Sequence, residues 1–348
     1  MSRRSASELV TLDPEVVERF RREAEALCSS PGESTGSDGP PGQDFRLGVA
    51  VSGGPDSLAL LLLAHAAFPG KVVAATVDHG LRAEAAEEAA FVAGICAQLG
   101  VPHDILTGTV SEGNLQDSAR ALRYALLADW AAERAGWIAT AHQRDDVAET
   151  LLMRARRGAG VGGLAAMPAT RSLGGATLIR PLLGWSRAEL EAIVAAAGIV
   201  PVEDPSNRDP RYDRARMRRL LAESPELPAD RLALAARNLR HAEDALEWAA
   251  EREWVARTQV EAGLVRLDPA GLPYELLRRL VERAIDCVRL GKEEEGPSFP
   301  APPSLRGDSL DRLVATLQSG GTGTIAGVKA AAKRAEWRFS PAPARRSH

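Results

Sequence analysis

Residues 47–64 read LGVAVSGGPDSLALLLLA, two apolar runs joined by two glycines, a proline and an aspartate. The first run is short and valine-containing, the pattern of a buried strand. The second, SLALLLLA, is rich in leucine and alanine and has no β-branched residue, the pattern of a buried helix. The junction Ser52-Gly53-Gly54-Pro55-Asp56-Ser57 therefore lies where a strand turns into a helix. Open parallel sheets bind ligands beyond the C-terminal ends of their strands, and a helix N-terminus offers unpaired N–H groups and a partial positive charge. Gly53 and Gly54 let the backbone close on an anion, and Ser52 and Ser57 add hydroxyl donors. The Asp56 carboxylate would repel a phosphate directly, and a magnesium ion between the two removes the conflict. The spacing is neither G-x-x-x-x-G-K-[ST] nor G-x-G-x-x-G, so the loop is not a Walker A or a dinucleotide fingerprint.

Working outward, the apolar pattern alternates. Residues 47–51, 72–77, 103–108 and 137–141 read as strands, with 177–183 as a further one. Helical patterns occupy 57–67, 83–99, 116–135 and 145–157, and another runs from Ser186 to Ala197. This predicts an α/β fold with an open, mostly parallel sheet and helices on both faces. Residues 1–43 read as an N-terminal helix (13–28) and a Gly/Pro/Ser-rich linker, 44–222 as the ligand-binding domain, and 223–348 as a helix-rich C-terminal domain. That last domain contains one long candidate helix at 231–258 and a linker near 291–304.

Composition narrows the function classes. The chain has 348 residues, is 45% hydrophobic and 26% charged, and has a net charge of -4, so any nucleic-acid surface must be local. Aromatics are only 4%, which disfavours a base-stacking platform. Cys28, Cys96 and Cys287 form no C-x-x-C pair, which argues against a zinc, cluster or redox site. No apolar run is long enough to span a bilayer and the N-terminus has no signal-peptide core, so the expected location is cytoplasmic.

Three more constellations carry chemistry. Asp78 and His79 follow a strand in ATVDHGLR and would face the same crevice as the glycine loop. In TAHQRDDVAETLL, His142 ends a strand, while Asp145, Asp146 and Glu149 open a helix at spacings that share one face. In SARALRY, Arg120 and Arg123 lie at i, i+3 and could clamp a phosphate. Two basic runs stand apart: Arg154, Arg156 and Arg157, and residues 208–219, RDPRYDRARMRR, with six arginines against two aspartates.

The S-G-G-P-D-S loop resembles the signature of the PP-loop ATP pyrophosphatases, which cleave ATP to AMP and pyrophosphate while adenylating a substrate oxygen. VSGGPDS, VDHGLR, ARALRY, AHQRDDVAETLLMRARRGAGVGGLAAM, IRPLL and VEDPSNRDPRYDRARMRRLL, in this order between 47 and 221, closely resemble the tRNA(Ile)-lysidine synthetase family. The chain departs from that pattern at Gln143, where members often carry a second histidine, and in the short segment left after the 291–304 linker.

The resemblance implies ATP as substrate, Mg2+, L-lysine, a tRNA(Ile) with a CAU anticodon, and a homodimer. Ser52, Gly53, Gly54, Pro55, Asp56, Ser57, Asp78 and His79 would bind ATP, with Asp56 holding magnesium through the phosphates. Arg120 and Arg123 would face the α-phosphate, and His142, Asp146 and Glu149 would serve the incoming amine. Arg154, Arg157, Arg208, Arg214, Arg216, Arg218 and Arg219 would bind tRNA phosphates. A 2-thiolation enzyme of the same superfamily, an amidating synthetase and a non-catalytic adenine-nucleotide binder are the competing readings. The first needs paired reactive cysteines, the second an ammonia source, and the third has no use for the acidic helix.

Overall fold

The computed structural model describes residues 12–29, 45–78, 84–108, 115–165, 167–202, 213–261, 263–291, 307–333 and 335–343. Two compact units divide between Arg240 and His241, inside one long helix. The sequence reading puts this boundary after 222 instead.

Strand β1 (Arg46–Ala50) forms the middle of the first unit. It pairs in parallel with β2 (Val72–Asp78) on one side and β4 (Gly136–Ala139) on the other. Strand β3 (His103–Thr107) adds outside β2, and β6 (Ala176–Ile179) outside β4, both parallel. Strand β5 (Thr170–Leu173) closes that edge antiparallel to β6, giving the order β3-β2-β1-β4-β6-β5. The chain leaves β1 in one direction and returns on the other side at β4. The two C-terminal strand ends therefore flank the switch point where open α/β sheets bind ligands.

Helix α2 (Pro55–Ala67) explains the run of leucines. Leu58 through Ala64 are all buried, because the helix is enclosed by the sheet and by α1 (Pro14–Cys28) and α7 (Arg187–Ala196). A helix covered all round is apolar all round. Helix α1 contributes Phe20 and Ala24 to the same core and so belongs to this unit rather than to a separate N-terminal piece. Helix α3 (Glu84–Leu99) covers the same face, and α4 (Leu115–Arg134) covers the opposite one with Tyr124, Leu127 and Trp130. Gly48 has to be glycine: a Cβ there would lie 2.9 Å from Trp130 Cζ3 and 3.0 Å from Trp137 O.

Each predicted strand and helix of this unit is present, with ends moved by at most four residues. The strand expected at 177–183 stops at Ile179, because Pro181 has no N–H for the ladder. Strand β5 escapes a pattern reading, since TRSL has no apolar alternation and only Leu173 is buried. Helices α5 (Arg144–Ala155), α6 (Val161–Leu164) and α8 (Asp213–Glu223) complete the unit, with the start of α9 (Ala229–Arg257).

The second unit holds α10 (Tyr274–Leu290) and α11 (Gly307–Gln318), in keeping with the helix-rich reading, but it is built on a sheet the sequence did not disclose. Strands β7 (Thr258–Glu261), β8 (Leu264–Leu267), β9 (Thr322–Ile325), β10 (Val328–Lys333) and β11 (Glu336–Pro341) pair antiparallel in the order β7-β8-β11-β10-β9. Val265, Leu267, Trp337, Phe339, Val328 and Ala330 pack one face against α10 and α11. The strands are short, and VKAAAK has the composition of a helix, so local propensity points the wrong way until the ladder pairs it. The proposed linker at 291–304 lies outside the described residues from 292 onward. No helix among the described residues is long and apolar enough to cross a membrane.

Candidate active site

The glycine loop links β1 to α2. Gly53 has φ +84°, and Gly54 (φ -76°) is the residue before the helix. Pro55 opens the helix without an N–H of its own, and the amides of Asp56 and Ser57, in the first turn, have no helical acceptor. No side chain caps this end. Ser57 Oγ instead donates to Gly54 O at 2.9 Å and accepts from Ser52 N at 3.1 Å, with Ser52 Oγ 3.2 Å away. This cross-brace fixes the shape of the loop and leaves the first helical amides without a side-chain cap. Val202 N donates to Gly53 O at 3.0 Å, tying the loop to the chain beyond α7.

A Gly53→Ala variant meets a left-handed backbone and Val202 Cγ2 at 3.3 Å. It is expected to lose about 1–2 kcal/mol of stability. It should also lose most of the thermal shift that ATP gives the wild type, as read by melting with and without ATP.

Asp56 sits at the mouth of this loop. Burial and the nearby Asp146 push its carboxyl up to about 6, with Arg187 and Arg218 pulling the other way. Asp56 Oδ1 is buried with no hydrogen-bond partner among the described residues. A buried, unpartnered carboxylate oxygen beside uncapped helix N-terminal amides has the chemistry to hold a divalent cation.

Across the switch point, β4 leads into Thr140, His142 and α5. Thr140 Oγ1 and His142 Nδ1 share a hydrogen bond of 3.1 Å. Burial and the positive field of Arg180, Arg123, Arg214 and Arg120 drive the His142 pKa down to about 2, so its imidazole is neutral. Gln143 caps α5: its Oε1 accepts from Asp145 N at 2.6 Å, and Asp146 Oδ2 accepts from Gln143 N at 3.3 Å. The residue that departs from the family pattern thus serves as the helix cap. Asp145 Oδ2 accepts from Arg187 N at 3.0 Å, joining α5 to α7. Burial raises the Asp146 pKa, against the opposing pull of Arg214.

Glu149 is 1% exposed and collects three arginines. Arg187 Nη2 and Arg218 Nε each donate to Oε1 at 3.1 Å. Arg214 Nε lies 3.2 Å from Oε2, an ion pair without hydrogen-bond alignment, and Arg214 Nη2 is 3.7 Å from Asp146 Oδ1. One carboxylate thereby locks α7 and α8 onto α5.

The basic runs resolve differently from a single exposed stripe. Arg214 and Arg218 turn inward to Glu149. Arg156, Arg157 and Arg216 converge on Asp213, whose carboxyl they hold down at about 2. Arg154 donates to Gly163 O at 2.7 Å. Arg219 stands at 68% exposed, 3.8 Å from Glu223. Asp78 ends β2 beside β1, on the same edge of the sheet as the glycine loop. His79 and Arg208 lie outside the described residues.

Sequence reasoning passed over three contributors. Arg180 follows β6, is 4% exposed, and was hidden inside the apolar IRPLL. Arg187 begins α7, where a cation opposes the helix dipole, a sign that it answers to an acid elsewhere. Tyr124 lies under Arg120, Arg123 and Arg171, at 5.1, 5.6 and 5.6 Å from its ring centroid.

Residues 25–224 match the PP-loop domain family, a span that contains every residue of this site. The chain is 47% identical to the tRNA(Ile)-lysidine synthase of Novosphingobium aromaticivorans, over 87% of its length and 90% of that protein. The chain belongs to the tRNA(Ile)-lysidine synthase family. A second member, from Zymomonas mobilis, is also 47% identical, over 86% of this chain and 90% of its own. Among solved structures, the U34-tRNA thiolase NcsA from Methanococcus maripaludis superposes with a TM-score of 0.51. It covers 65% of this chain and 79% of its own at 16% identity, a likeness of fold alone. The tRNA(Ile)-lysidine synthase relatives, at three times that identity, are what distinguish this chain from other PP-loop proteins.

Proposed function

We propose that this protein is a tRNA(Ile)-lysidine synthase, a carbon–nitrogen ligase. It uses ATP to join L-lysine to C2 of the wobble cytidine of a CAU-anticodon tRNA(Ile), releasing AMP and pyrophosphate. The observation that carries the reading is the meeting of two chemistries at one switch point. An anion cradle ends β1, and a buried carboxylate with a neutral imidazole follows β4.

The cradle amides and Ser52 would seat the triphosphate. A magnesium ion held through Asp56 would neutralise charge on the pyrophosphate. Arg120 and Arg123, on α4 beside His142, would offset the charge that grows at the α-phosphate when the cytosine O2 attacks it. O2 then belongs to an AMP leaving group. The lysine amine arrives as an ammonium, with an ordinary pKa near 10.4, and must lose a proton before it attacks C2 and expels AMP. Asp146, with its raised affinity for protons, holds the ammonium and accepts that proton, while neutral His142 adds no positive charge beside the incoming amine. The thiolation alternative finds no support in the thiols: burial pushes both Cys28 and Cys96 up to about 12, far from the thiolate such chemistry needs.

The test is direct. Purified protein with ATP, radiolabelled lysine and CAU-anticodon tRNA should place label in the tRNA, and Asp146→Asn should slow the transfer by at least ~100-fold. An Asp146→Asn enzyme with wild-type transfer would remove Asp146 from its role. No label with the wild type would overturn the function itself. A cytoplasmic location and pairing of two chains accompany this reading, and sedimentation of the purified protein checks the second.

A further inference from the structure

Most arginines around the site have a carboxylate. Arg187, Arg214 and Arg218 share Glu149, and Arg156, Arg157 and Arg216 share Asp213. Arg120, Arg123, Arg171 and Arg180 differ, since among the described residues none of them pairs with an acid. They come from three elements, α4, β5 and the end of β6, and meet around Tyr124. Arg180 forms the floor: its Nη1 donates to Pro168 O at 2.6 Å, and its Nε is buried without an acceptor among the described residues. Arg171 and Arg120 are exposed and form the rim. Four guanidiniums that repel one another, one of them buried with an unused donor, form a site that is completed by an anion.

This cup is separate from the amide cradle. The cradle ends β1 on the α2 face, whereas the cup lies on the α4 face. Arg180 ends β6, the second strand over from β1, at about 10 Å for two strand spacings. Arg171 lies one strand farther out, on the open edge. A nucleotide whose triphosphate sits on residues 52–57 would reach the near side of the cup at Arg120 and Arg123, while a polynucleotide strand entering over the β5 edge would pass across Arg171 and Arg180.

We propose that Arg171 and Arg180, with the ring of Tyr124 as a wall, bind a backbone phosphodiester of the tRNA next to its target nucleotide. This rests on the tRNA-modifying function argued above. Arg120 and Arg123 stand between the two anions, the phosphate under attack and the phosphodiester. Seating both would bring the cytosine O2 and the α-phosphorus together only when the cup is filled.

The test measures binding, so it is independent of turnover. Wild type, Arg171→Ala and Arg180→Gln are titrated with an unmodified CAU-anticodon tRNA at several salt concentrations, and separately with ATP alone. Arg171 is exposed, so its truncation leaves the fold intact. A melting curve checks Arg180→Gln, with Arg180→Lys as the milder variant. Arg171→Ala should weaken tRNA binding about 5- to 10-fold and flatten the slope of log K against log salt by about 0.7, one single-strand phosphate. ATP affinity should be unchanged. Unaltered tRNA affinity and slope in Arg171→Ala would overturn the proposal. So would an equal loss of ATP affinity, which would give the cup to the nucleotide. If the wild type binds the tRNA yet never transfers lysine, the assigned reaction fails while these titrations still judge the cup.

Discussion

Asp56→Asn is expected to abolish tRNA-dependent exchange of pyrophosphate into ATP and, in the same protein, to raise the melting temperature at neutral pH. The two effects have one cause. Burial and the neighbouring Asp146 hold the Asp56 carboxyl at about 6, against 3.8 for the ordinary group. Because the folded pKa is the higher one, the native state binds the proton more tightly than the unfolded chain. The ionised group therefore costs the fold stability, from nothing below pH 3.8 to its full amount above pH 6. The full amount is up to about 3 kcal/mol, roughly halved at pH 5. The amide removes the charge and the cost, which in a unit of this size is several degrees of melting temperature. It also removes the charged oxygen that would hold magnesium. Melts at pH 8 and pH 5 check the sign: the gain should be larger at pH 8. An Asp56→Asn protein that keeps exchange activity, or that melts below wild type at pH 8, would contradict this account.

Glu149→Ala is expected to be the most destabilising single change in the first unit. Removing one carboxylate leaves Arg187, Arg214 and Arg218 facing one another around a buried void. Breaking a buried ion pair from one side costs about 3–5 kcal/mol, here with Arg187 and Arg218 losing their carboxylate and Arg214 left with Asp146 alone. Denaturant unfolding should show a loss of that size. Helix α8 should loosen first, since Glu149 holds Arg218 to α5 and shares Arg214 with Asp146. Lysine transfer should fall in parallel, because Arg214 also neighbours Asp146. A midpoint unchanged from wild type would show that α8 is held by its packing rather than by this cluster. Glu149 thus reads as a positioning residue, in place of the direct contact with the amine expected from the acidic helix.

The strand–glycine–helix junction, the alternation that follows it and the acidic opening of α5 were legible in the residues. Each depends on local chemistry: valine in a strand, an all-apolar helix, glycine where φ is positive. The cap on α5 was half legible, since Gln143 looked like a missing histidine and proves to accept from Asp145 N. The second sheet was not legible. Its strands are four to six residues long, and alanine and lysine in β10 acquire a strand's shape only from their neighbours.

By itself, then, the order of residues determined the parallel sheet, the strand–glycine–helix turn and the family, because these rest on period, propensity and short-range spacing. Only the tertiary structure decided which arginines pair with a carboxylate inside the fold. An arginine in the sequence carries no mark of its partner. Arg214 and Arg218 look like a surface stripe until folding brings Glu149 beneath them. Arg180 looks like part of an apolar run until Tyr124 and three other guanidiniums gather round it. Counter-charges lie tens of residues away along the chain, and Coulomb energy depends on distance in space, which folding alone sets.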